Sequence, residues 1–244
     1  ALENPMKFHG LGTYSIEDGS TPSGAHLTYS EVFARTVTNL AKEDNKVTAI
    51  TAAMPGGTKL EIFKAEIPER YFDVGIAEDH AAVFACGQAA YGLKPYLAIY
   101  STFMQRAVDM IFHDAALQSL PVRFCMDRAG LSGDDGPTHH GLFDIGMLRH
   151  IPNLVFMQPK DEAERGNMLA TMHGIGDVPS VIRYPRGEGR GVSLPGKPEI
   201  LTVGEAEVIH DGGDVALFGL GGMHELAEQV RDILEQEGVS TALI

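Results

Sequence analysis

The sequence predicts an α/β fold: a mostly parallel sheet sandwiched by helices, followed by the beginning of a second α/β domain. Three observations predict it. Short apolar runs alternate with helical patterns from residue 27 to about residue 195. The runs are short and centred on apolar residues, as in strands that helices cover on both faces. Polar and glycine-rich residues gather where an apolar run ends and the next helix begins, the edge at which open parallel sheets bind ligands.

Residues 1–26 (ALENPMKFHGLGTYSIEDGSTPSGAH) are rich in Gly, Pro and Ser, show no sustained period and read as a linker or wrapping arm. Thr28 and Glu31 then form a capping box that opens a helix to about Asp44, with Val32, Phe33, Val37 and Leu40 as its apolar stripe. KVTAITA is a strand and TKLEIFKAE a helix. YFDVG is a strand, and from Ala77 a helix carries Ala81, Phe84, Cys86, Ala89 and Ala90, with Gly92 placed to end it. KPYLAIYS is a strand, QRAVDMIFHDAALQ a helix, PVRFCMD a strand and LFDIGMLRH a short helix. NLVFMQP, DEAERGNMLATMHG and PSVIRYP close the series as strand, helix and strand, giving one domain over 27–195.

A second unit spans 196–244. EILTVGEAEVIH reads as a hairpin or entry strands, and DVALFGLGGMHELAEQVRDILEQEGVSTALI as strand, helix and strand. GLGG lacks the full spacing of a dinucleotide loop and a downstream acid, so a tight strand-to-helix turn is the better reading. A unit of about 45 residues is too small to bury a sufficient core alone. The chain is therefore expected to be a fragment, or one polypeptide of a larger assembly.

Composition excludes several classes. A net charge of −14 with no basic tract argues against nucleic acid and anionic membrane surfaces as partners. No apolar run approaches the roughly 18 residues of a membrane span. Cys86 and Cys125, the two cysteines, lie in apolar stretches and read as buried reduced thiols of a cytoplasmic protein. An anionic substrate would have to be held by local arginines, for which Arg106, Arg128, Arg183 and Arg186 are the candidates.

The strand ends carry the candidate site. Glu78 follows FDV; Tyr100, Ser101, Phe103 and Arg106 follow LAIY; Asp127 and Arg128 follow VRFCM. The loop GLSGDDGPTHHG holds Asp135, His139 and His140, and Arg183 and Arg186 end VIRYP. Each has a plainer reading. Glu78 could be an acid that complements the positive end of a helix. Phe103 and Met54 could be packing residues, the arginines surface charges, and the glycine-rich loop a solvated one. His139 and His140 could be a metal pair, but adjacent histidines seldom point the same way and no third ligand is spaced for it, so no metal site is expected. The joint loading of every strand end favours a site.

YFDVGIAEDHA, AIYSTFMQRAVDMIFHDAA, PVRFCMDRAGLSGDDGPTHHGLFDIGMLRHIPN and VIRYPRG closely resemble the pyrimidine-binding domain of the 1-deoxy-D-xylulose-5-phosphate synthases. These are thiamine-diphosphate enzymes of the transketolase superfamily. The resemblance extends from KFHG to the last residue. It implies the thiamine-diphosphate pyrimidine-binding fold over 27–195 and the start of a transketolase-type C-terminal domain over 196–244. It also implies a reaction in which pyruvate is decarboxylated and joined to D-glyceraldehyde 3-phosphate.

Residue roles follow from the same resemblance. Glu78 matches the glutamate that hydrogen-bonds the cofactor's aminopyrimidine and shifts it toward the tautomer that acts as a base. Phe103 matches the aromatic that stacks on the pyrimidine, and Met54 and Ile76 the apolar residues that shape the bent cofactor. Arg128 and Arg186 match the arginines that hold the acceptor's phosphate. Tyr100, Arg106, Asp135 and His139 match the substrate side, with His139 hydrogen-bonding an intermediate or moving protons. His80 matches a structural or proton-network histidine.

Asp79 stands where the family usually has Gln, and SGDDG carries one acid more than the common GADG. Asp79 is expected to face outward. Thiamine diphosphate is implied as cofactor, with its diphosphate and Mg2+ bound by an N-terminal domain whose GDG…N motif does not occur here. The chain alone is therefore expected to be inactive, its partners being that domain and a second copy in a homodimer. Two other readings remain open: a β-type subunit of a 2-oxoacid dehydrogenase or split transketolase, and a non-catalytic binding paralogue.

Overall fold

Thr28 caps the first helix as the sequence requires: its hydroxyl accepts from the Glu31 amide at 3.2 Å, and the Glu31 carboxylate accepts from the Thr28 amide at 2.9 Å. That helix, α1 (Tyr29–Glu43), buries Val32, Phe33, Ala34 and Val37. The computed structural model describes residues 14–20 and 24–244. Most of the predicted arm, residues 1–13 and 21–23, lies outside the described residues.

The elements follow in order: β1 (Val47–Thr51), α2 (Glu61–Glu66), β2 (Tyr71–Asp73), α3 (Glu78–Ala90) and β3 (Lys94–Tyr100). After β3 come α4 (Ser101–Met104), α5 (Val108–Met110) and β4 (Arg123–Asp127). The domain closes with α6 (Asp144–Leu148), β5 (Val155–Met157), α7 (Glu162–Gly174) and β6 (Ser180–Arg183). The six strands form one sheet in the order β2-β1-β3-β4-β6-β5, every pair parallel. β1, β4 and β6 are buried along their whole length, whereas the edge strands β2 and β5 are only partly covered. This is why the inner strands read as short runs centred on apolar residues, although Thr51, Arg123 and Asp127 are buried among them.

Helices cover both faces. On one, α3 and the segment after β3 bury Ala81, Ala85, Met104 and Ile111 against Ile50, Leu97 and Phe124. On the other, α1, α2 and α7 bury Phe33, Phe63 and Leu169 against Val47, Tyr96 and Ile182. β2 lies on one side of β1 and β3 on the other, so the chain's direction across the sheet reverses there. Such a reversal opens a crevice at the carboxyl ends of the strands.

Two expectations are corrected. QRAVDMIFHDAALQ is not one regular helix: a 3-10 turn (Gln105–Ala107), α5 and a π-helical stretch (Ile111–Ala116) follow one another. Burial explains the change of pitch. Met104 and Ala107, three residues apart across the 3-10 turn, are both buried, while Ile111, Ala115 and Ala116 recur at the wider spacing of a π turn. EILTVGEAEVIH forms no strand; its described pairing is a single bridge from His210 to Leu243. DVALFGLGGMHELAEQVRDILEQEGVSTALI does hold strand, helix and strand: β7 (Val215–Leu217), α8 (His224–Gln236) and β8 (Thr241–Leu243), with the two strands parallel. GLGG is a tight turn, Gly221 adopting φ +57° as the first residue of a 3-10 turn (Gly221–Met223) that leads into α8. Among the described residues no helix is long and apolar enough to cross a membrane.

Candidate active site

Asp73 joins the first two strand ends. Its carboxylate accepts from the Ala53 amide at 2.8 Å and the Gly75 amide at 3.1 Å. The chain past β1 thereby turns through Ala53, at φ +60°, toward Met54. Met54 is buried in the apolar cluster shared by α3, Tyr100 and Phe103. Past β2, the turn Gly75-Ile76-Ala77 delivers Glu78 as the first residue of α3, where no side chain caps the helix. Glu78 is 3% exposed, and its described partner is Arg106, which donates to it at 3.1 Å. Asp79 and His80 face outward, His80 stacked on Phe84 at 6.2 Å. Ile76 is 78% exposed, so it is not a packing residue of this chain's core.

The end of β3 supplies an aromatic cluster. Tyr100 and Phe103 stack with centroids 5.7 Å apart, and His139 lies 5.4 Å from Phe103 in an edge-on arrangement. The Arg128 guanidinium covers the Tyr100 ring at 3.9 Å, within cation–π range. Burial pushes the Tyr100 phenol up, opposed by the charge of Arg128, so the hydroxyl stays protonated at neutral pH.

Arg128 occupies left-handed backbone at φ +58°, which a non-glycine residue enters at a cost of about 1–2 kcal/mol. It is held by several partners, donating to the Asp127 carboxylate at 3.0 Å, the Gly57 carbonyl at 3.1 Å and the Asp135 carboxylate at 2.8 Å. Asp127 is fully buried, and burial raises its carboxyl pKa against the pull of Arg128 and the Ser30 hydroxyl, which donates at 2.6 Å. Arg186, from beyond β6, meets the same Asp135 oxygen as Arg128, at 3.3 Å. Two guanidinium groups therefore converge on one anionic oxygen.

GLSGDDGPTHHG is tied down rather than freely solvated. Gly130 and Gly141 pair through their backbones at 2.9 and 2.8 Å, closing the loop at its base. Ser132 donates its hydroxyl to the His139 carbonyl at 2.6 Å and its amide to His140 Nδ1 at 3.0 Å. His139 Nδ1 contacts Thr138 at 2.9 Å, so the two histidine rings serve different partners. Arg183 is not a surface charge: it is buried and donates to Asp144 at 2.7 Å. Asp144 also accepts from Ser101 at 3.0 Å. Sequence reading missed Asp73 and Asp144; an acid inside the apolar run LFDIGML was the available signal for Asp144.

The structure thus brings Glu78 to Arg106, gathers Tyr100, Phe103 and His139, and links them through Arg128 to Asp135 and Arg186. Met54 packs on the aromatic side, and Ile76, two residues before Glu78, is exposed.

Residues 25–191 match the family described as transketolase, pyrimidine binding domain. Two relatives carry the name 1-deoxy-D-xylulose-5-phosphate synthase. That of Acidobacterium capsulatum is 57% identical over 244 residues and that of Methylacidiphilum infernorum 58% identical over 245. Both alignments cover the whole of this chain, which spans 39% of each relative's length. Among solved structures, a split-gene transketolase described as an inactive β4 tetramer superposes with a TM-score of 0.77 at 24% identity, covering 90% of this chain and 71% of that one. A Pichia stipitis transketolase in complex with sedoheptulose 7-phosphate gives 0.75 at 19% identity, covering 92% and 35%. At such identities the likeness is one of fold. Together with the match over 25–191, these findings place the chain in the family of transketolase pyrimidine-binding domains.

Proposed function

We propose that this chain supplies the pyrimidine and acceptor half of a 1-deoxy-D-xylulose-5-phosphate synthase active site. The overall reaction joins pyruvate, with loss of CO2, to D-glyceraldehyde 3-phosphate. The observation that carries this reading is the convergence of Arg128 and Arg186 on the single oxygen of Asp135. Two guanidinium groups directed at one anionic oxygen suit a phosphate, and Asp135 occupies the place of the anion until the acceptor arrives.

Thiamine diphosphate fits the residues present. Glu78 is a buried carboxyl at the mouth of an apolar cluster, suited to hydrogen-bond a ring nitrogen. Phe103 offers an aromatic face, Met54 an apolar floor, and Ile76 an exposed apolar side chain for a bound ring to cover. When bound, the cofactor supplies the carbanion chemistry that decarboxylates the 2-oxoacid. Glu78 holds the proton at the ring nitrogen, and Arg106 orients its carboxyl. His139 and Tyr100 are placed to hydrogen-bond reacting oxygens or to move protons, and Phe103 with Met54 excludes water. The diphosphate and Mg2+ belong to a separate N-terminal domain, which we propose as the chain's necessary partner, in a cytoplasmic homodimer.

The test uses the complete enzyme carrying this chain together with its diphosphate-binding domain. Wild type should convert pyruvate and D-glyceraldehyde 3-phosphate to 1-deoxy-D-xylulose 5-phosphate. Glu78→Gln should lower kcat by about 10²- to 10⁴-fold, the usual size of acid–base catalysis. Arg186→Gln should raise the acceptor's KM and leave that of pyruvate unchanged. No product from wild type, or equal rates for Glu78→Gln and wild type, would overturn the reading.

A further inference from the structure

A cleft of about 590 Å³ opens beside the arginine pair, and its walls include Thr28, Ser30, Gly57, Lys59, Arg128 and Arg186. Three of these side chains are cations. The acid in the same lining, Glu188, is turned to the arm, accepting from the amides of Ala25 at 3.1 Å and His26 at 3.3 Å. The resemblance gives Lys59 no role.

Its backbone is the first sign that it has one. Lys59 sits at φ +59°, the left-handed region that a lysine enters only against steric resistance. The turn around it is firmly built. Thr58 is fully buried, its amide and hydroxyl both bonding the Met54 carbonyl at 3.1 and 2.7 Å, and the Lys59 amide donates to Gly56 at 3.3 Å. Two of the cleft's three cations, Lys59 and Arg128, thus stand on left-handed, non-glycine backbone. Strain of this kind persists where the surroundings fix it and concentrates at ligand sites.

Its partners are the second sign. Arg128 and Arg186 already donate to Asp135 and to backbone carbonyls within the cleft. Lys59 has one ion pair among the described residues, with Glu61 at 3.9 Å, and both side chains are solvent-exposed. Such a pair is weak. Lys59 also lies near enough to Glu31 to lower its pKa, but Glu31 is committed to the Thr28 cap. The ammonium therefore has donors to give, on a stem long enough to reach a ligand.

Placement is the third. Lys59 follows β1, whereas the arginines follow β4 and β6, and β3 separates β1 from β4 in the sheet. The cations reach the cleft from the ends of three different strands. We propose that Lys59 is a third anchor for the acceptor's phosphate and a determinant of selectivity for phosphorylated over unphosphorylated aldehydes. This rests on the reading of the acceptor site given above.

The test compares wild type, Lys59→Gln, Lys59→Arg, Lys59→Gly and Arg186→Gln in the complete enzyme. Two quantities are read: KM for D-glyceraldehyde 3-phosphate against D-glyceraldehyde, and binding of inorganic phosphate by calorimetric titration, which needs no turnover. Lys59→Gln should raise KM for the phosphorylated acceptor and weaken phosphate binding, each by about five- to tenfold, as for one partly solvated charge-assisted hydrogen bond. Its kcat and its KM for D-glyceraldehyde should be unchanged, and Lys59→Arg should stay close to wild type. Lys59→Gly should match Lys59→Gln in binding while melting higher than wild type, which separates the lost charge from the relieved strain. Unchanged phosphate binding in Lys59→Gln, or equal KM increases for both aldehydes, would overturn the proposal. If Arg186→Gln also leaves phosphate binding intact, the acceptor-site reading itself fails; if it weakens binding while Lys59→Gln does not, only the role of Lys59 fails.

Discussion

Gly57 shows how tightly single residues are fitted around the site. A Cβ built there would lie 1.6 Å from the Tyr100 hydroxyl oxygen and 2.6 Å from the ring carbon that carries it. The Gly57 carbonyl also accepts from Arg128, so backbone, phenol and guanidinium meet at one place. Gly141 is similar, its absent side chain leaving room for Ser101 Oγ at 2.3 Å. Alanine at 57 must push the Tyr100 ring away, and with it the surface on which Arg128 stacks. Gly57→Ala is expected to lower stability by about 1–3 kcal/mol, as overpacking does. It should also raise the acceptor's KM while leaving that of pyruvate near wild type. Thermal melts and steady-state kinetics of the complete enzyme check both, and Tyr100→Phe, which removes the nearest clashing atom, should recover part of the loss. A variant with wild-type melting and kinetics would mean that the ring yields freely.

The elements were legible in proportion to how local their causes are. Thr28 and Glu31 announce α1 because a capping box needs only four consecutive residues, and the buried strands announce themselves by apolar runs. The broken helix after β3 was not legible, because its changes of pitch answer to a core built from α3 and β4. The site divides in the same way. Glu78, Tyr100, Arg128 and Arg186 were visible as polar residues at strand ends, while the Asp144–Arg183 pair spans 39 positions and no local pattern reports it. The local cause at α1 also makes a pH prediction. Hydrogen bonding to the Thr28 amide holds the Glu31 carboxyl below its ordinary pKa, against a smaller effect of burial. A carboxyl depressed in the folded state adds stability above its unfolded pKa and loses it as pH falls through the folded one. Glu31→Gln should therefore cost about 0.5–1 kcal/mol at neutral pH, the range of a helix-terminal charge in solvent. That difference should vanish on acidification through the glutamate range. A difference that stays constant down to acid pH would show that the carboxylate's charge contributes nothing.

Across the whole molecule, α3 presents an unusual surface. Its inner face, with Glu78, Ala81, Ala82 and Ala85, is packed on the sheet. Its outer side leaves Val83 45% exposed, and just past its end Tyr91 is 87% exposed. The π-helical stretch beside it adds Phe112 at 41%, followed by Leu117 at 59%. Large apolar side chains left exposed on neighbouring elements point to an interaction site. The α3 segment contains no lysine or arginine, and the chain carries a net charge of −14, so an apolar contact with a second copy suits this face better than an electrostatic one. It is the face we assign to the proposed homodimer. Val83→Glu and Leu117→Glu each place a charge within that surface, away from the residues proposed to bind cofactor or substrate. In the complete enzyme either substitution should convert a dimer to monomer by size-exclusion chromatography with light scattering. Activity should fall with the dimer fraction and recover at high protein concentration. A protein that remains dimeric with both glutamates in place would assign the contact to another face and leave α3 to pack against a different domain.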